Sequence, residues 1–289
     1  MFTHSLKNLP KKTYEVTVKI PKEEIKKEYD LAFDDLHKDF ETEGFRKGKV
    51  PRDIAVQKMN REAVYQKLIR SLLPKIYGEI LEKEKLQPVI SPVIDLANAK
   101  DGEDWEVVIK TAEKPEIDLS KYKEIVKKAK ADSKKADIWV PGKDTTAPEQ
   151  KPEAQSQQAL NEVLSALLKE VKVEISDLII EQELERKLAK LVDDVQRLGL
   201  SIDTYLKSKN MTMEQLRQQF TQEIDETYRL EFLLNDIADL EKIQVEDADM
   251  DKLFGNLKTE EEKQQARQNA YFYATLMRKQ KTLDYILGL

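Results

Sequence analysis

The 289-residue chain has no cysteine, which removes disulfides and thiolate chemistry and fits a reducing compartment. Histidine is nearly absent, with His4 and His37 the only two. Neither has a cysteine near it, and no helical stretch carries two histidines at ligand spacing, so a metal site is not expected. Glycine is scarce, with eight residues. None of them falls in a Walker, dinucleotide-binding or Gly-x-Ser-x-Gly pattern, so nothing points to nucleotide-driven work or to an enzyme. No apolar run approaches a membrane span, and residues 1–20 hold none long enough for a signal peptide. The expectation is a cytoplasmic protein with no cofactor, no metal and no membrane partner.

Charge is abundant, at 36% of residues. Together with few glycines it points to long helices with solvated faces. The net charge of −6 is unevenly spread. From Gly44 to Lys75 there are nine Lys or Arg against two acids, whereas residues 151–289 carry 19 basic and 27 acidic side chains. A basic tip on an acidic body can meet an RNA-rich surface while the body is held off it.

In chain order, Lys12–Ile20 alternates as a half-buried strand, with Tyr14, Val16, Val18 and Ile20 on one face. Pro21 stops it and opens a helix to about Thr42, whose stripe is Ile25, Tyr29, Ala32, Phe33, Leu36 and Phe40. His37 follows the stripe residue Leu36 and is placed on the polar side. Helix resumes at Pro51 and runs to Leu86, with a break near Asn60 and a kink or restart at Pro74. Val89–Ala97 and Trp105–Glu113 read as two strands around a turn at residues 99–102. Residues 1–119 thus make an α+β domain, a small antiparallel sheet with long helices.

Residues 120–158 lack apolar periodicity and read as a polar linker, within which Trp139 and Val140 either dock or stay free. Residues 159–289 are all helical. Ser176 caps one helix, whose stripe is Leu184, Leu188, Leu191, Val195 and Leu198. Thr212 and Thr259 each open a capping box. The whole is expected to be elongated. The helices carry much bulk: Met211, Met213, Phe220, Tyr228, Phe232, Phe254, Tyr271, Phe272 and Tyr273. Successive residues on a helix point about 100° apart, so residues 271–273 cannot all face one core. They either pack between helices or line an open apolar cradle, where methionine and aromatics suit promiscuous contact.

The most telling stretch is Gly44-Phe45-Arg46-Lys47-Gly48-Lys49-Val50-Pro51. Two glycines free the backbone and Pro51 is placed to open a helix. One ring sits among three cations with no acid. Either it is a contact tip, the ring filling an apolar notch and the cations meeting phosphates or carboxylates, or it is a plain turn whose Phe45 folds back onto a neighbouring helix.

This octapeptide resembles the ribosome-docking motif of the trigger factor family, chaperones of the polypeptide exit tunnel. The likeness extends through Leu86-Gln87-Pro88-Val89-Ile90-Ser91-Pro92, Val173–Asp177, Leu198–Ser201, Tyr205-Leu206 and Met211–Leu216. It implies a ribosome-binding domain over 1–119 and a helical chaperone domain with arms over 159–289. The family's FKBP-like prolyl isomerase domain is missing, and the linker stands in its place. Gly44, Phe45, Arg46, Lys47, Gly48 and Lys49 would dock on a large-subunit ribosomal protein and adjacent rRNA. Met211, Met213, Phe220, Phe232, Phe254, Tyr271, Phe272 and Tyr273 would meet nascent or unfolded chains, held without ATP and without catalysis. The free protein would be able to dimerise, as members of the family can. The alternative is a holdase or assembly chaperone for folded clients that works off the ribosome.

Overall fold

A computed structural model describes residues 2–136, 152–255 and 259–289. The chain divides into two compact units, residues 1–114 and 115–289. The first unit is α+β and the second, among the described residues, all α.

Four strands, β1 (Thr3–Leu9), β2 (Thr13–Ile20), β3 (Val93–Asn98) and β4 (Trp105–Ala112), form one antiparallel sheet in the order β1-β2-β4-β3. Val16 pairs with Ile109 and Val18 with Val107. These four side chains, with Ile20 and Trp105, are buried on one face. The other face is polar and laced by Lys7–Glu15–Lys110 and Lys19–Glu106 ion pairs. That inside-outside alternation is what fixes the register. Three helices supply the second layer: α1 (Lys22–His37), α2 (Arg52–Lys58) and α3 (Arg61–Glu84). Ile25, Ala32 and Phe33 of α1 meet Leu68, Leu72, Leu73, Ile76 and Ile80 of α3 in the same core.

Three readings of this unit change. Strand β1 is additional; its sequence, THSLKNL, offers only Leu6 and Leu9, one on each face, and so gives little alternation. α1 stops at His37 rather than Thr42. α3 runs through Pro74 without a restart, because buried Leu72, Leu73 and Ile76 hold both flanks in the core. The expected break at Asn60 is present, and the Asn60 side chain accepts the Glu62 N–H as a helix cap.

In the second unit, α4 (Tyr122–Ala136) packs on α5 (Pro152–Glu170), α6 (Asp177–Arg197) on α8 (Met213–Leu240), and α8 on α11 (Ala270–Gly288), with α7 (Ile202–Ser208), α9 (Asp247–Gly255) and α10 (Glu260–Gln268) as short connectors. Residues 122–136 and 152–158, read as linker, are therefore helical. Tyr122, Ile125 and Val126 are buried and supply the stripe that the lysine-rich composition concealed. Trp139 and Val140 lie outside the described residues. Val163, Leu167, Ile179, Leu233, Ile237 and Ile286 form the interior. Ser176 caps α6 through the Leu178 N–H, and complete capping boxes start α8 and α10. Glu241, just past α8, accepts from Tyr122 Oη at 2.5 Å, from Tyr285 Oη at 2.7 Å and from Lys123 Nζ at 2.8 Å. It ties α4 and α11 to α8.

Candidate docking loop and apolar helix ends

The loop between α1 and α2 consists of two stacked turns. Phe45 N–H donates to Thr42 C=O at 3.0 Å, and Lys49 N–H to Arg46 C=O at 2.9 Å. Gly44 and Gly48 are the third residues of these turns, at φ +84° and +68°, the left-handed region that turns of this kind require there. Gly48 is doubly constrained. Its N–H donates to Phe40 C=O at 2.9 Å, and a Cβ at this position would lie 2.6 Å from Lys38 C=O. His37 completes the clamp. Its Nε2 is 2.6 Å from Val50 C=O, its ring stacks on Phe33, and Val50 is buried. His37 is thus half-buried and structural, not on the polar side, because the chain turns back over the end of α1.

The tip beyond this clamp is open. Phe45 is 38% exposed, and Arg46, Lys47 and Lys49 are exposed beside it. The nine cations of Gly44–Lys75 are not equivalent. Lys47 pairs with Asp39 at 3.1 Å, Arg52 with Asp30 and Asp34, Arg61 with Asp101, Lys67 with Asp35, and Lys75 with Glu28. Among the described residues, Arg46, Lys49, Lys58 and Arg70 have no carboxylate partner. Acids of α1 together with Asp101 pair four of the six flank cations, whereas two of the three at the tip stay unpaired among the described residues, a distinction a count of charges along the sequence cannot make.

A cleft of about 450 Å3 also lies in this unit, lined by Tyr29, Arg61, Tyr65 and Asp101 among others. Three of its polar groups are spent on one another: Tyr65 Oη and the Arg61 guanidinium both donate to Asp101, at 2.7 and 2.5 Å. Burial first, then Asp101, pushes the Tyr65 hydroxyl up to about 12. Among the described residues there is no cluster of three metal-ligating side chains, and no helix is long and apolar enough to cross a membrane.

The second unit exposes apolar side chains where helices end. Leu198, read as the last residue of the α6 stripe, is 76% exposed. It falls past the last turn, where Gly199 at φ +74° reverses the chain. Leu200 and Met213 are exposed and Met211 half-buried. At the start of α11, Tyr271 is 88% and Phe272 64% exposed, while Tyr273 packs edge-on against Phe254 at 5.9 Å. Phe232 and Phe254 are buried and must be withdrawn from the candidate contact set; they belong to helix packing. Phe220 is half-buried under Lys187 Nζ, 4.3 Å from its ring. Leu198, Leu200 and Leu276 are exposed sites that the sequence reading missed, because helical periodicity does not reveal where a neighbouring helix stops.

Two family models match the chain. One, described as bacterial trigger factor protein (TF), takes in residues 2–139, and the other, its C-terminus, residues 144–287. The trigger factor of Streptococcus mutans is 37% identical over 110 residues, 38% of this chain and 26% of that protein. That of Staphylococcus epidermidis is 38% identical over 108 residues, 37% of this chain and 25% of its own. The matched segment thus spans about a quarter of these relatives' length. A solved structure, described as showing promiscuous substrate recognition in folding and assembly activities of the trigger factor chaperone, superposes with a TM-score of 0.62 at 15% identity. It covers 98% of this chain and 99% of that one. At that identity the likeness speaks for the fold alone.

Proposed function

We propose that this chain, which belongs to the trigger factor family, is an ATP-independent chaperone that docks on the large ribosomal subunit through residues 44–49 and holds emerging unfolded polypeptides on the apolar ends of its helices. One observation carries the docking half: an exposed ring stands on a loop clamped by Gly48 and His37, beside two cations, Arg46 and Lys49, that no acid of the described chain neutralises. Such a tip suits a ribosomal protein notch rimmed by rRNA phosphates. Lys47 would exchange Asp39 for phosphate, a modest cost because surface pairs are worth roughly 0–1 kcal/mol. The holding half rests on Leu198, Leu200, Met213, Tyr271, Phe272 and Leu276. Covering such surface gains about 25 cal/mol per Å2 before entropic costs, so contacts are weak, additive and released without a nucleotide.

The two family matches leave only residues 140–143 between them, far too few for a domain of prolyl isomerase size. Holding without isomerisation is therefore the expected activity, and a prolyl-peptide assay on purified protein checks it; turnover would overturn it. Docking is tested by cosedimentation with ribosomes. The triple variant Phe45→Ala, Arg46→Ala, Lys47→Ala is expected to lose binding at least ~tenfold, and the slope of log K against log salt to flatten by roughly 0.7–0.9 for each phosphate contact removed. Undiminished binding by the triple variant would mean that docking does not run through this loop, whereas a parent chain that fails to cosediment would favour a chaperone that works off the ribosome.

A further inference from the structure

The two edges of the sheet are unlike. β1 carries histidine, lysine and asparagine, and His4 is bonded to Glu84 at 2.8 Å. β3 reads Val-Ile-Asp-Leu-Ala-Asn and is exposed along nearly its whole length. Its Ile94 and Leu96 lie opposite Ile109 and Val107, on the face that the helices cover elsewhere, yet they remain 38% and 36% exposed. The helical layer stops short of this strand. Natural sheets usually protect such an edge with charge, proline, a bulge or a covering element. Here Pro92 precedes the strand and a register irregularity lies between Leu96 and Asn98. Four residues with one charge, Asp95, stand open between them.

The backbone of this edge has a definite polarity. Val89 N–H donates to Ala112 C=O on one side of β4, and Glu113 N–H to Lys12 C=O on the other. Main-chain groups alternate along an antiparallel strand, so Lys110 and Val108 point toward β3 and bond to Val93 and Asp95 across the register. The N–H and C=O of Ile94 and Leu96 therefore point outward. Two exposed apolar side chains, and two main-chain donor–acceptor pairs with no partner among the described residues, belong to the same two residues.

We propose that β3 accepts an extended apolar segment of an unfolded polypeptide as a fifth strand. This rests on the chaperone reading and gives it a client contact in the first unit. The outward main-chain row selects an extended occupant, Ile94 and Leu96 select apolar side chains on one face, and Asp95 disfavours acidic segments. A second copy of the chain fits worse. The face-matched antiparallel register that spans Val93–Ala97 sets Asp95 opposite Asp95, and the next one runs into the irregularity at Leu96–Asn98.

The probe is a synthetic peptide of alternating valine and threonine with a lysine at each end, added to the 15N-labelled full chain, with amide hydrogen exchange read residue by residue. The Ile94 and Leu96 amides are expected to slow at least ~tenfold, with Val93 and Asp95, already in the ladder, little changed. Ile94→Pro deletes one outward donor and spares the β3–β4 ladder, so it is expected to weaken peptide binding about fivefold or more. Ile94→Ala keeps the donor and should weaken it less. A bound peptide that leaves both amides fast, or an alanine variant as weak as the proline one, overturns strand addition while leaving the chaperone reading intact. No peptide bound and no suppression of client aggregation by the same preparation would sink both. A dimer in sedimentation equilibrium that Ile94→Pro dissolves would hand the edge to a second copy instead.

Discussion

The docking loop of the first unit and the helices of the second expose apolar surface in opposite ways. In the first, one ring is held out on a short loop whose backbone is fixed from both sides by Phe40, Lys38, His37 and the buried Val50. In the second, exposed leucines and aromatics sit at helix ends where packing runs out, with Leu276 a turn further along α11, each a single side chain with no clamp of its own. A fixed tip suits one partner of fixed shape. Scattered, adjustable side chains suit many partners, since affinity then depends on area and not on geometry. The difference teaches that exposure alone does not define a site; what holds the exposed group decides what it can recognise.

The sharpest break of that comparison lies inside the second unit, between aromatics that pack and aromatics that project. Phe232→Ala and Phe254→Ala remove buried rings and are expected to cost about 3–5 kcal/mol each, read from the urea midpoint of unfolding. A loss below about 1 kcal/mol at either site would mean that the ring is not in a packed interior and would return it to the contact set.

The next effect separates the two loop glycines. At Gly48 an alanine must hold a left-handed backbone and also push its Cβ into the Lys38 carbonyl, so Gly48→Ala is expected to cost about 2 kcal/mol or more and to weaken ribosome cosedimentation by moving the tip. At Gly44 nothing lies within 4 Å of the added carbon, so only the backbone term of about 1 kcal/mol applies, and docking should largely survive. Equal effects at the two positions would show that the clamp does not position the ring.

The first unit was the more legible in sequence, for a physical reason. Alternation at Tyr14–Ile20 and the stripe from Ile25 to Phe33 each report burial by a single layer, and the loop carries its constraint in two glycines and a proline. β1 escaped because an edge strand needs little alternation. The length of α1 escaped because its end is set by a tertiary clamp at Gly48. In the second unit, capping residues Ser176, Thr212 and Thr259 marked helix starts correctly, since caps are local chemistry. Which face of each helix is covered is not local. Phe232 and Leu198 look alike in sequence, and only the position of neighbouring helices buries one and bares the other. The helices at 122–136 and 152–158 were hidden by lysine, glutamate and glutamine, which solvate one face without breaking helical structure.

A smaller effect concerns the tie that closes α4 and α11 on α8. Hydrogen bonds from Lys123, Tyr122 and Tyr285 hold the Glu241 carboxyl down to about 2. A depressed carboxyl stabilises the fold above its ordinary value near 4.5, and that contribution is lost as pH falls toward 2. The wild-type chain should therefore lose thermal stability over that window more steeply than Glu241→Gln. The variant should be less stable at pH 7 by about 1 kcal/mol, the charged hydrogen bonds being partly reached by water. Parallel pH profiles for the two proteins would show that the tie is not ionic.

The smallest expected effect on stability is at the projecting side chains, and there the sense of the comparison is decided. Leu198→Ser and Tyr271→Ser alter residues that are 76% and 88% exposed, so each should leave the unfolding midpoint within about 0.5 kcal/mol of the parent. If these ends hold clients, the double variant will nonetheless suppress aggregation of an unfolded test protein less well, because two of the few uncovered apolar groups are gone, while ribosome cosedimentation through Phe45 stays intact. Unchanged suppression by the double variant would mean that holding resides elsewhere, with the open β3 edge the first place to look. A fall in both activities together would mean that the two units do not divide docking from holding at all.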